Sequence, residues 1–175
     1  TISAQCPGLP VLHDAICTLN QAWPAKPQYV QCVSHNAWQP TTAEMARAAW
    51  VGDSRLYHWQ HQQLRQITKD HSLAQRMLDS GEAEPGVDVE AHYGHVLTQG
   101  LGLRQPLDPG YCSGGCESSG QRFLLCSDGL SDMVDDEKIS AALCCADLDE
   151  GADRLIGDAL DMGGRDNISL ILIEP

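Results

Sequence analysis

The stretch from Gln121 to Val134, QRFLLCSDGLSDMV, limits the fold more than any other part of the sequence. Phe123, Leu124, Leu125 and Cys126 are apolar in succession with no helical period, which predicts a short buried strand. The run stops at Ser127-Asp128-Gly129, placing a carboxylate at the mouth of a sheet beside a glycine that turns the backbone without steric cost. Asp132 follows one helical turn later. With a helical turn starting at Leu130, Asp128 and Asp132 point toward one locus, where their mutual repulsion favours a bound divalent cation.

At 175 residues the chain suits one domain with a real core. Its 24 Asp and Glu against 11 Lys and Arg give a formal net charge of −13, which disfavours nucleic acid and anionic membrane as partners. Most of that charge must serve a solvated surface, because metal ligands use only a few acids. No apolar stretch approaches membrane-spanning length, and Thr1 to Pro10 lacks the charged start and apolar run of a signal peptide, so a cytoplasmic location is expected. Among the 8 cysteines, Cys144 and Cys145 are adjacent, Cys17 and Cys126 lie in apolar segments, and no Cys-x-x-Cys pair occurs. They read as reduced thiols, and Cys112 and Cys116 as loop cysteines without zinc-site spacing around them.

In chain order, Leu12, Ile16, Leu19 and Trp23 form one stripe and predict a core-facing helix ending before Pro24. Ala48 to Val51 is a short apolar run that stops at Gly52-Asp53. Further extended segments on either side of a turn at His61-Gln62-Gln63 make Arg47 to Thr68 read as an antiparallel meander with Asp53 at a bend. On its residues alone, Asp53 is either a turn residue bonding local backbone or a cation ligand. Lys69-Asp70-His71-Ser72 leads into a short helix, capped by Asp70 or Ser72, with Leu73, Met77 and Leu78 on one side and Gly81 as its stop. His71 there reads as a packing or hydrogen-bonding residue. Glu82 to Gly94 is acidic and without period, as a mobile surface segment would be.

Asp135-Asp136-Glu137 opens a helix whose buried face is Ile139, Ala142, Leu143 and Ala146. A second helix, with Leu148, Ala152, Leu155, Ile156, Ala159 and Leu160 at helical spacing, ends at Gly163-Gly164. Ile168 to Ile173 is then a strand apolar on both faces and so expected to be central in its sheet, with Asp166 at its entry.

Four blocks in order, VGDSRLY (Val51 to Tyr57), ITKDHSL (Ile67 to Leu73), LLCSDGLSDMV (Leu124 to Val134) and GGRDNISLILI (Gly163 to Ile173), resemble the PP2C (PPM) family of metal-dependent serine/threonine phosphatases, with HVLTQGLG (His95 to Gly102) as a weaker fifth. The resemblance implies an α+β fold in which two antiparallel sheets pack as a sandwich flanked by helices. It implies a single domain over 1–175, incomplete at its N-terminus, with a flap over 73–96. It also implies two Mn²⁺ or Mg²⁺ ions, held in part by Asp128 and Asp166, and a third, weaker ion at Asp53 and Asp132, with a metal-activated water as nucleophile. Arg55 is expected to brace the sheet, and Ser54 and Ser127 are not expected to act as nucleophiles. Phosphorylated Ser/Thr proteins are the implied substrates and a Ser/Thr protein kinase the implied counterpart.

The family's Asp-Gly-x-Gly-Gly element and its phosphate-binding Arg have no match before Arg47. Two explanations stand: the sequence is part of a longer phosphatase, or half the metal site is lost. The first makes this a protein phosphatase whose segment alone turns over weakly or not at all. The second makes it a catalytically silent module that acts by binding partners.

Overall fold

The structure, a computed structural model, describes residues 32–36, 45–84, 86–100, 106–115 and 120–174. Its strands are β1 (Cys32–Asn36), β2 (Met45–Trp50), β3 (Arg55–Gln60), β4 (Gln63–Gln66), β5 (Gly110–Gly115), β6 (Gln121–Cys126) and β7 (Leu170–Ile173). The helices are α1 (Leu73–Ser80), α2 (Val89–Tyr93), α3 (Asp128–Ser131), α4 (Asp136–Leu143) and α5 (Leu148–Asp161). One sheet has the order β1-β2-β5 and the other β4-β3-β6-β7, which gives the expected α+β class with two sheets and accompanying helices. The helix expected over Leu12 to Trp23 lies outside the described residues, as do Gly102 and Cys116.

The described residues gather into two compact units. Of the described residues, the first takes in 32–35, 47–53, 69–84, 86–100 and 106–113, and the second 36, 45–46, 54–68, 114–115 and 120–174.

The second unit is built on the predicted apolar strand. β6 lies between β3 and β7, antiparallel to both, with Leu124 opposite Tyr57 on one side and Leu172 on the other. Strand alternation turns Tyr57, Leu124, Cys126, Leu170 and Leu172 to one face, where they meet Leu130, Val134, Ile139, Leu143, Leu155 and Ala159 in one core cluster. Each fully buried Leu there contributes about 2 kcal/mol by area. Burial also pushes the Tyr57 phenol up to about 12, against the lowering effect of Arg55. β3 and β4 form a two-residue hairpin at His61 and Gln62, both left-handed at φ 51° and 62°. α4 is capped by the Asp135 carboxylate, which accepts the Lys138 amide at 2.8 Å. Its far end is capped across space by Arg122 of β6. Arg122 donates to the Leu143 carbonyl at 2.8 Å and to those of Cys145 and Ala146, while its Nε pairs with Glu174 at 2.7 Å.

Several expectations change in this unit. β2 does not continue into a meander with β3 and β4, because it lies in the other sheet and only β3 and β4 form the hairpin. α4 ends at Leu143, so Ala146 is exposed rather than buried. On α5 the buried stripe narrows to Gly151, Leu155 and Ala159, and Leu160 is 58% exposed. Among the described residues β7 is an edge strand, not a central one, and its Ile171 is 59% exposed. An apolar run reports a strand's composition, whereas its place in the sheet depends on which strands pair with it.

In the first unit, Ala48, Ala49, Trp50 and Val51 are all buried, with Ala49 and Val51 against Leu107 and Tyr111. α1 starts at Ser72, whose hydroxyl accepts the Gln75 amide at 3.1 Å, and stops at Gly81. Leu78 is 53% exposed and Ala74 takes the buried position on that helix. The acidic segment after Gly81 is not structureless, because α2 forms in it behind an Asp88 cap that accepts the Ala91 amide at 3.0 Å. The excursion from 73 to 96 is pinned at its base. The Leu73 amide donates to the Val96 carbonyl at 2.7 Å, and Ser72 bridges to Leu97.

Candidate functional site

In the second unit the ends of β6 and β7 are stitched together by Ser127. Its amide donates to the Ser169 carbonyl at 3.0 Å. The hydroxyl donates to the Asn167 carbonyl at 3.0 Å and accepts the Ser169 amide at 3.1 Å. This brings the segment carrying Asp128 beside the one carrying Asp166. The crossing is so close that a Cβ on Gly129 would stand 2.5 Å from the Asn167 carbonyl oxygen. Gly129 lies in α3 without a positive φ, so its glycine answers a lack of space and not, as expected, the need to turn.

Each of these two acids uses one oxygen on the next amide. Asp128 Oδ1 accepts from Gly129 at 2.9 Å, and Asp166 Oδ1 accepts from Asn167 at 2.7 Å. That holds one oxygen of each carboxylate in a short ring, with Asp128 half-buried and Asp166 exposed. Asp132 closes the α3 turn by donating its amide to the Asp128 carbonyl at 2.8 Å, and its residue is exposed. α3 starts at Asp128 rather than at Leu130, with Leu130 sunk in the core as its anchor. Arg165 is exposed. Arg55 donates to the Tyr57 hydroxyl at 3.4 Å.

Asp53 belongs to the first unit and is 8% exposed, with its Oδ1 fully buried. The residue before it, Gly52, has φ 111°, a backbone region that disfavours side chains. Both polar groups of Gly52 are taken up by His71. The His71 amide donates to the Gly52 carbonyl at 2.9 Å, and the Gly52 amide donates to His71 Nδ1 at 3.1 Å. The His71 carbonyl in turn accepts the Thr98 amide at 2.7 Å. Burial holds the His71 imidazole below its usual range, with Asp108 and Asp70 opposing, which favours the neutral ring that an acceptor Nδ1 requires.

Oxygen donors are the chemistry that hard divalent cations select, and fixed carboxylates at strand ends fit such an ion. Among the described residues, no three side chains of His, Cys, Asp or Glu converge as a complete ligand group. The sequence singles out the acids and gives His71 a packing or hydrogen-bonding role, of which the hydrogen bonds are seen, but the parts played by Ser127 and Arg122 were missed. An arginine directly before the apolar run FLLC was the available signal for the latter.

No protein-family model matches the chain. Over 133 residues it is 36% identical to the serine/threonine protein phosphatase PstP of Mycobacterium tuberculosis, covering 71% of this chain and 24% of that protein. Over 125 residues it is 36% identical to the serine/threonine phosphatase stp of Listeria monocytogenes, covering 71% of this chain and 49% of that protein. The chain thus spans less than half the length of these curated relatives. Among solved structures, the catalytic domain of PstP in complex with 2 manganese ions superposes with a TM-score of 0.66 at 34% identity, covering 81% of this chain and 56% of that one.

Proposed function

The chain belongs to the PP2C (PPM) family of serine/threonine protein phosphatases, and on that premise we propose that the whole protein hydrolyses phosphoserine and phosphothreonine in phosphoproteins. The observation that supports the reading is the stitched crossing of β6 and β7, which brings the segments carrying Asp128 and Asp166 side by side. These two would hold the principal Mn²⁺ or Mg²⁺ ions, and Asp53 and Asp132 are further proposed donors. When bound, such ions lower the pKa of a water and offset charge on the phosphoryl group. The chain's own part is to keep the donor oxygens in place. Ser127 ties the two loops, Gly129 lets them approach, and Leu130 anchors the turn in the core.

The segment 73–96, pinned at its base, is proposed as a flap that influences substrate access within a single, partial phosphatase domain over 1–175. A Ser/Thr protein kinase would supply the substrates. A reducing, cytoplasmic setting fits the free thiols of Cys112, Cys126, Cys144 and Cys145. No helix among the described residues is long and apolar enough to cross a membrane. The named relatives are phosphatases and lend no support to a catalytically silent module.

The test is Mn²⁺-dependent hydrolysis of p-nitrophenyl phosphate and of a phosphothreonine peptide by the whole protein. Asp128→Asn should lower the rate by at least about 100-fold, beyond what residues one layer outside the ligands usually cost. Absence of activity, or an Asp128→Asn variant that keeps it, rejects the reading.

A further inference from the structure

We propose that His71 is a positioning residue that sets the Asp53 carboxylate for a divalent cation by clamping both backbone polar groups of Gly52. The proposal rests on the reading of Asp53 as a metal donor. A glycine at φ 111° has unusual freedom, and the peptide planes on its two sides fix the direction in which the next side chain leaves the backbone. His71 holds one plane through its Nδ1 at 3.1 Å and the other through its amide at 2.9 Å. His71 is itself fixed. Its carbonyl accepts the Thr98 amide at 2.7 Å, and the next residue, Ser72, is buried and caps α1. Asp53 therefore owes part of its placement to a residue 18 positions away in the sequence.

The geometry specifies which substitutions should keep this function. Asparagine carries an oxygen acceptor at the position of Nδ1, whereas leucine fills similar space and offers none. His71→Leu should raise the apparent Kd of the step that depends on Asp53 by on the order of ten-fold, as loss of a residue supporting a metal ligand commonly does, and His71→Asn should restore it.

The experiment titrates the whole protein with Mn²⁺ alone and follows free Mn²⁺ by electron paramagnetic resonance, for the wild type, Asp53→Asn, His71→Leu, His71→Asn and the His71→Leu/Asp53→Asn double variant. The expected result is that Asp53→Asn and His71→Leu weaken the same step, that the double variant is no weaker than Asp53→Asn, and that His71→Asn resembles the wild type. If Asp53→Asn leaves the titration unchanged, Asp53 is no donor and the reading beneath the proposal falls with it. If Asp53→Asn weakens binding and His71→Leu does not, the donor stands and the role of His71 is overturned. Should His71→Leu not fold, the decision passes to His71→Asn and to the imidazole nitrogen spectrum of the wild type at neutral pH. An unprotonated Nδ1 with a proton on Nε2 supports the clamp, and a protonated Nδ1 overturns it.

Discussion

Asp128 and Asp53 both stand where a strand ends, yet the fold holds them in opposite ways. Around Asp128 the chain crosses itself, and the place of the acid is set by backbone packed so tightly that no Cβ fits at Gly129. Around Asp53 the neighbouring glycine is conformationally loose and a distant imidazole supplies the order. The first arrangement is steric and indifferent to conditions. The second depends in part on one acceptor nitrogen and so on its protonation.

The steric side is the easier to break. Gly129→Ala must push the 166–167 backbone away, and overpacking of this kind costs about 2 kcal/mol, read as a lower urea midpoint. Mn²⁺ affinity should fall with it if Asp128 and Asp166 act together. Ser127→Ala removes two hydrogen bonds from the same crossing while leaving its sterics intact, and should cost about 1 kcal/mol. A loss equal to that of Gly129→Ala would mean that the stitch, not the close approach, orders the acids.

Acidity probes the other side with the smallest effect. The unfolded His71 takes up its proton near 6.5, while burial delays protonation in the fold to a lower pH. The unfolded chain therefore binds more protons between those two values. The stability contributed by neutral His71 is complete above 6.5 and is lost as pH falls from there toward the folded value. Urea midpoints at pH 7.5 and 5.5 should drop more for the wild type than for His71→Asn, and equal drops would show that His71 does not carry the pH response. Ser127, Asn167 and Ser169 have no side chain that titrates in this range, so the β6–β7 stitch itself should not follow the trend.

Much of this was legible in the residues. The apolar run of β6, the caps at Ser72 and Asp135, and the glycine stops at Gly81 and Gly163 are local signals, and local physics decided them. All four candidate acids are at strand ends or turns, as their Gly and Asn neighbours suggested. What could not be read was relational. Nothing in VGDSRLY says that β2 and β3 serve different sheets, because the bend at Gly52 looks the same for a hairpin and for a change of sheet. Leu78, Leu160 and Ile171 fit apolar stripes by period, but period cannot say how wide a stripe the neighbouring elements cover. Gly129 was noticed for the wrong reason, since its constraint comes from a segment 38 positions downstream.

Among the described residues, the two rims of the four-stranded sheet differ in chemistry. β4 presents Gln63, Arg65 and Gln66, a hydrophilic border that discourages strand-to-strand adhesion. β7, which has no neighbour on its far side among the described residues, presents Leu-Ile-Leu-Ile with Ile171 open to solvent, a template on which another strand can add. Concentrated samples of the chain should therefore grow in scattering mass through this rim, and Ile171→Lys should flatten the concentration dependence in light scattering. An unchanged slope would place the adhesive surface elsewhere. The residues that make β7 a good strand also make the chain's solubility hinge on what lies alongside it.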